Sequence, residues 1–124
     1  TSPFRNGKHL AEAWQLFLDS KEEMLVSVCA SKQNPYYNLF EEQNGFLQKC
    51  KEGAYTRRQD CPPVWELNGA IYIFRTDRFL EVGIEGMKKI KYEMSEHDSL
   101  DIDSPLDWVV AEHLLNSSVQ NSKD

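Results

Sequence analysis

The stretch Asp98-Ser99-Leu100-Asp101-Ile102-Asp103 gathers the side chains best suited to chemistry. Alternate residues of an extended chain share a side. Asp101 and Asp103 then present two carboxylates together, while Ile102 between them turns into the core and fixes their direction. Paired hard oxygens suit Mg²⁺, which commonly takes one or two protein carboxylates along with substrate phosphates. The same acids also fit a structural role, as capping or solvated carboxylates near a positive helix end, and spacing alone favours that role. A second group is Thr56-Arg57-Arg58-Gln59-Asp60. The planar guanidinium fork matches a carboxylate or phosphate, although adjacent arginines in a loop are more often plain surface charge. The third is Asn68-Gly69-Ala70-Ile71-Tyr72, where an amide enters an apolar strand and needs partners from backbone, water or ligand. A period of two places Tyr72 on the face of Asn68, with core packing the alternative reading for the ring. His9, His97 and His113 have no companion at a metal or triad spacing and read as structural or surface residues. No phosphate-binding glycine loop is present.

These groups need a framework. Leu10, Ala13, Trp14, Phe17 and Leu18 recur at helical spacing, predicting an amphipathic helix over Lys8 to Ser20. Met24 to Ala30 reads as a strand buried on both faces. Asn44-Gly45 between two apolar stretches predicts a hairpin. Glu52 to Pro63 reads as a charged loop stopped by Pro62-Pro63. Trp65 to Phe74 is a second buried strand, in which Gly69 marks a bulge or a close approach to ligand. A short helix capped by Thr76 over Thr76 to Glu81 and a strand over Lys89 to Met94 come next. Ser104-Pro105 opens the last helix, whose buried face is expected at Leu106, Val109, Val110, Leu114 and Leu115. Asn116 onward reads as a frayed polar tail.

Composition narrows the function classes. The 124 residues suffice for one compact domain and not for two. A net charge of −6 argues against non-specific nucleic-acid binding, though a local pair such as Arg57-Arg58 can still meet an anion. The longest apolar run, Gly69 to Phe74, is too short to cross a bilayer, and nothing at the start has the layout of a signal peptide. Cys29, Cys50 and Cys61 are odd in number and form no CxxC pair, so reduced thiols in a cytoplasmic protein are expected.

Taken in order, the clusters resemble one family. Thr1-Ser2-Pro3-Phe4-Arg5 is similar to the TSP-x-R segment of the acylneuraminate cytidylyltransferases (CMP-sialic acid synthetases). Arg57-Arg58-Gln59-Asp60 resembles their RRQD segment, and Asn68 to Ile73 their NGAIYI strand. Ser99 to Asp103, followed by Asp107-Trp108 and Ala111-Glu112, resembles their S-I-D-I-D…D-W…A-E ending. The resemblance runs over essentially the whole chain at family-like intervals.

That resemblance implies an α/β fold: the C-terminal part of a Rossmann-like nucleotidyltransferase, with a mostly parallel sheet flanked by helices and a β-hairpin insertion. Residues 1–124 would form one partial domain, the N-terminal half with the CTP loop being absent, and this part alone would be inactive. The implied reaction moves CMP from CTP to the anomeric hydroxyl of a nonulosonic acid and releases pyrophosphate. Asp101 and Asp103 would hold Mg²⁺, with Asp103 also accepting the hydroxyl proton. Arg58 and Gln59 would grip the sugar acid, and Asn68 and Tyr72 would orient it. A homodimer built through the Tyr36 to Lys49 hairpin is the family expectation, with neither nucleic acid nor membrane as partner. The chain also departs from the pattern. Tyr36-Tyr37 stand where some members carry a basic residue, and Ile84-Glu85-Gly86-Met87 where some carry aromatics that reach across the dimer. A ketodeoxyoctonate cytidylyltransferase, or a non-catalytic module that binds a sugar acid or dimerises, are the alternatives.

Overall fold

A computed structural model of the chain describes residues 1–123, with side chains as far as residue 119. It contains two compact units, Thr1–Cys29 with Leu67–Asp124, and Ala30–Glu66.

The first unit opens with helix α1, Gly7–Ser20. Asn6 caps it reciprocally with His9: the Asn6 side chain accepts from His9 N, and His9 Nδ1 accepts from Asn6 N. A histidine thus fills the place usually held by Glu or Gln in a capping box. Only Ala13 and Phe17 of α1 are buried. Leu10, Trp14 and Leu18, expected on the same face, remain about half exposed. The covered stripe is one residue per turn wide, narrower than the apolar periodicity.

Strand β1, Met24–Ala30, is buried from Met24 to Val28. Leu25 packs with Ala13, Phe17, Ala70, Ile71, Tyr92 and Met94, whereas Met24, Val26 and Val28 join Met87 in a separate cluster. Both faces are therefore covered, as an unbroken apolar run requires. The sheet order is β4-β1-β5, with β4 at Trp65–Phe74 and β5 at Lys89–Glu93. β5 runs parallel to β1 from Met24↔Lys89 to Val28↔Glu93. β4 runs the other way, since Arg75 N donates to Glu23 O and Ile71 N to Ser27 Oγ. The three-stranded sheet is mixed, which corrects the expectation of a mostly parallel one. The cause lies in the excursion between β1 and β4. Its two ends are joined by Ser31 N donating to Val64 O. A chain that leaves and re-enters side by side must run back antiparallel.

Helix α2, Thr76–Gly86, is longer than the segment expected from Thr76 to Glu81, and Thr76 is not its cap. Arg75 holds that position without a side-chain cap bond. Gly83, at φ 70° and ψ 177°, interrupts the helix, a conformation that glycine reaches without steric cost. Glu23, just before β1, ties that strand to α2 and to the residue that leads into β5. Its carboxylate accepts from Arg78 Nε at 2.8 Å and Lys88 N at 2.9 Å. These bonds, Lys88 first, hold its carboxyl below the ordinary range.

Helix α3, Pro105–Lys123, continues through the region read as a polar tail. Within it, Ser117 and Ser118 donate their hydroxyls to the carbonyls of His113 and Leu114. The expected buried face of α3 is not buried. Leu106, Val109, Val110 and Leu115 are exposed, Leu114 is half-buried, and Ala111 is covered.

The second unit carries β2, Phe40–Gln43, paired antiparallel with β3, Phe46–Lys49. Asn44 and Gly45 both take positive φ, 55° and 84°, as a two-residue primed turn demands. Asn34 is the buried organiser of this unit. Its Oδ1 accepts from Tyr36 N, its Nδ2 donates to Pro62 O, and its carbonyl accepts from Tyr37 N and Asn38 N. Within the charged loop, Arg58–Asp60 forms a single 3₁₀ turn. Among the described residues no helix is long and apolar enough to cross a membrane.

One polar knot fastens α1 to the turn that precedes the paired aspartates. His9 Nδ1 accepts a backbone proton from Asn6, so the ring proton sits on Nε2, which donates to Asp98 Oδ2 at 3.1 Å. His97 Nδ1 lies 2.9 Å from Asp98 Oδ1. The two histidines, His97 foremost, hold the Asp98 carboxyl below its ordinary value of 3.8 against the opposing effect of burial. A depressed carboxylate stabilises the fold above its unfolded pKa, and this contribution fades as pH falls through the lower folded value. Asp98→Asn should therefore melt earlier than the parent at pH 7, the gap closing as pH falls below 3.8. A gap that stays constant down to about pH 2 in a thermal-melt series would contradict this.

Candidate functional site

The acidic segment is held by its main chain. Ile102 N donates to Thr1 O at 2.9 Å, and Asp103 N donates to Asp107 Oδ2 at 3.0 Å. Ser104 N donates to the same Asp107 oxygen, and Asp107 N returns a bond to Ser104 Oγ. Ser104 and Asp107 thus form a capping box at the start of α3, with Asp103 gathered into it. The Asp107 carboxyl lies below its ordinary range, chiefly through the Asp103 N–H and then Ser104. Ile102 is half-buried, and lines an apolar cavity of about 300 Å³ with Pro3, Phe4, Trp108, Ala111, Glu112 and Leu115.

The two carboxylates differ. Asp103 is exposed, and its side chain has no hydrogen bond or ion pair among the described residues. Asp101 receives the Thr1 nitrogen on Oδ1 at 2.5 Å. Its Oδ2 faces Gly69, where an added Cβ would lie 3.8 Å away. Gly69 has φ +71°, a value that favours glycine, at the point where β4 meets the acidic segment. Arg5 donates from Nη1 to Ala70 O at 2.6 Å and keeps a cation beside the same part of β4. Among the described residues no three His, Cys, Asp or Glu side chains gather as a metal cage.

Asn68 lies in this first unit and is buried. Its Oδ1 accepts from Ser27 Oγ at 2.5 Å and Ala70 N at 3.1 Å, and its Nδ2 donates to Ser99 Oγ at 3.0 Å and Met94 Sδ at 3.4 Å. Those bonds use all four of its hydrogen-bonding positions. The expectation that Asn68 orients a ligand thus meets an amide already committed inside the fold. Tyr72 does not share its burial. The ring is half exposed and its hydroxyl is unbonded among the described residues, because the turn at Gly69 breaks the strand's alternation.

Arg58 and Gln59 lie in the second unit. Arg57 spends its fork on Asp60, through Nε at 2.9 Å and Nη2 at 3.2 Å. Arg58 instead rests over the ring of Tyr37, 5.9 Å from its centroid, with no acidic partner among the described residues. Gln59 is exposed. Sequence reasoning gave no role to Ser27 and did not foresee the contacts of Tyr37, Ser99 and Arg5. Ser27 had a readable signal, a lone hydroxyl inside an apolar strand, and so had Asp107, three residues after a Ser cap. The partners of Tyr37 and Ser99 arise from tertiary placement and leave no local mark.

Asp107→Ala removes the acceptor shared by Asp103 N and Ser104 N. The variant should melt a few degrees earlier, and its Asp103 and Ser104 amides should exchange hydrogen faster. Unchanged exchange at both amides would show that the box does not hold the segment.

No family model matches the chain. Curated relatives do. A post-translational flagellin modification protein B of Campylobacter coli is 31% identical over 125 residues, covering 100% of this chain and 53% of the relative. A CMP-N,N'-diacetyllegionaminic acid synthase of Campylobacter jejuni is 38% identical over 101 residues, covering 81% and 43%. An N-acylneuraminate cytidylyltransferase of Streptococcus agalactiae is 30% identical over 119 residues, covering 93% and 29%. The chain spans about half the length, or less, of the curated relatives it matches. Motifs and relatives agree: this chain is homologous, along its length, to a part of the acylneuraminate cytidylyltransferases.

Proposed function

We propose that the intact protein transfers CMP from CTP to the anomeric hydroxyl of a nonulosonic acid, releasing pyrophosphate. The observation that carries this reading is the way the fold treats Asp103. Its backbone is anchored by Asp107 while its carboxylate has no partner among the described residues, and Asp101 Oδ2 lies next to Gly69. A carboxylate held by its main chain and open at its side chain is arranged to meet something outside the fold.

The chain's own residues divide the work. Asp101 and Asp103 would hold Mg²⁺, which when bound neutralises charge on the phosphoryl oxygens. Their hard carboxylate oxygens suit that ion. Asp103, unpaired, would accept the proton of the attacking hydroxyl. Arg58, steadied by Tyr37 and without an acidic partner among the described residues, would offer its fork to the sugar carboxylate, a pairing with the right planar geometry. Gln59 and Tyr72, both exposed, would add neutral hydrogen bonds that set the orientation of the sugar. Alignment of the hydroxyl with the α-phosphorus then supplies much of the rate.

The relatives' names support a sialic-acid-type substrate, and the sugar itself is the open choice. Pyrophosphate release by the intact protein, with CTP, Mg²⁺ and a panel of nonulosonic acids, tests the reading. Release with one of those acids supports it, whereas release only with ketodeoxyoctonate would replace it. Silence with every acid from folded protein would favour a non-catalytic module. Asp103→Asn should lower turnover by at least about 100-fold, within the span of a lost general base or metal ligand, with its melting temperature preserved. Parent-like kinetics would remove Asp103 from the site. Arg58→Lys should raise KM for the sugar acid about tenfold, the scale of one lost charged hydrogen bond. A change confined to CTP would contradict that role.

A further inference from the structure

We propose that Asn68 and Ser99 are positioning residues that set where the Asp101 and Asp103 carboxylates stand, a role that rests on the reading of those carboxylates as ion ligands. The argument begins with protons. Ala70 N–H can only donate, and it points at Oδ1 of Asn68, which fixes that atom as oxygen and leaves Nδ2 to face Ser99 and Met94. Ser27 is 2% exposed and its hydroxyl has one proton. Ile71 N supplies a second bond to Ser27 Oγ at 2.7 Å, so the hydroxyl proton is free to go to Asn68 Oδ1 at 2.5 Å. The alternative acceptor, Ile71 O, is farther away at 3.3 Å. The amide has one orientation that satisfies every partner.

The consequence reaches the acids. Ser99 closes the turn after β5, with its own N–H bonded to Ser95 O. Asn68 holds its hydroxyl, and Asp101 comes two residues later. The next residue of β4, Gly69, is the one facing Asp101 Oδ2. One dipeptide of β4 thus grips the turn through Asn68 and passes beside the Asp101 carboxylate at Gly69. The bond from Asn68 to Ser99 sets the register between strand and acidic segment, and Ser27 locks the amide from beneath. Removing outer partners of metal ligands typically weakens the ion by about 10- to 100-fold.

The test compares the parent, Ser99→Ala, Ser99→Thr and Asp103→Asn in the intact protein with CTP present. Mn²⁺ affinity is read from water-proton relaxation, and amide hydrogen exchange is read at Ile102 and Asp103. Ser99→Ala should weaken Mn²⁺ by about tenfold or more and speed exchange at both amides, with KM for the sugar acid unchanged. Ser99→Thr, which keeps the hydroxyl, should restore both. If Ser99→Ala does not fold, Ser99→Cys replaces it, and a smaller loss in the same direction is expected. Parent-like Mn²⁺ affinity in folded Ser99→Ala, beside a lost ion in Asp103→Asn, overturns the positioning role alone. Parent-like affinity in Asp103→Asn overturns the underlying ion assignment instead.

Discussion

The contact between Ser27 and Asn68 is the constraint from which the first unit is organised. A hydroxyl and an amide lie where the neighbouring side chains are apolar, at 2% and 8% exposure. Buried polar groups are tolerated only when every donor and acceptor is met. Here that demand leaves almost no freedom. Ser27 must lie beside Ile71, Asn68 must turn inward at Gly69, and the turn after β5 must bring Ser99 over the amide. A purely apolar core would accept β4 in several registers, whereas this one penalises any slip with unpaired groups. The same amide holds Ser99, two residues before Asp101.

Much of this framework is legible from sequence alone. The limits of β1 come from an unbroken apolar run and the start of α3 from Ser104-Pro105, whereas β4, expected to be buried, is buried only at Asn68, Ala70 and Ile71. Local patterns fail where tertiary structure decides. Strand direction in β4 comes from the bond between Ser31 and Val64, which no periodicity records. The length of α2 depends on Gly83 taking positive φ inside what would otherwise read as a break. The serines near the end of α3 read as a tail because they are weak helix formers, yet they lie within the helix with their hydroxyls bonded to carbonyls one turn back.

Within the candidate site, residue types were readable and roles were not. Asp101 and Asp103 stood out by spacing, but nothing local shows that one lies next to Gly69 and that the other is drawn by its main chain into the capping box of α3. Arg57 and Arg58 are indistinguishable as neighbours in sequence. Structure separates them, one spent on Asp60 and the other resting on Tyr37. Asn68 looked like a ligand-facing amide because an amide in an apolar strand needs partners. The partners proved to be internal.

The exposed apolar side chains of α3 bear on how this polypeptide behaves at the bench. Leu106, Trp108, Val109, Leu115 and Val119 all meet water, as do Leu10, Trp14 and Leu18 on α1. Patches of that kind draw molecules together before any of them unfolds, and a net charge of −6 is the main repulsion opposing it. For the 124-residue chain prepared by itself, usable concentration is thus a colloidal matter, governed by ionic strength and distance from the isoelectric point. Low-salt buffers well above pH 5.1 would keep it dispersed.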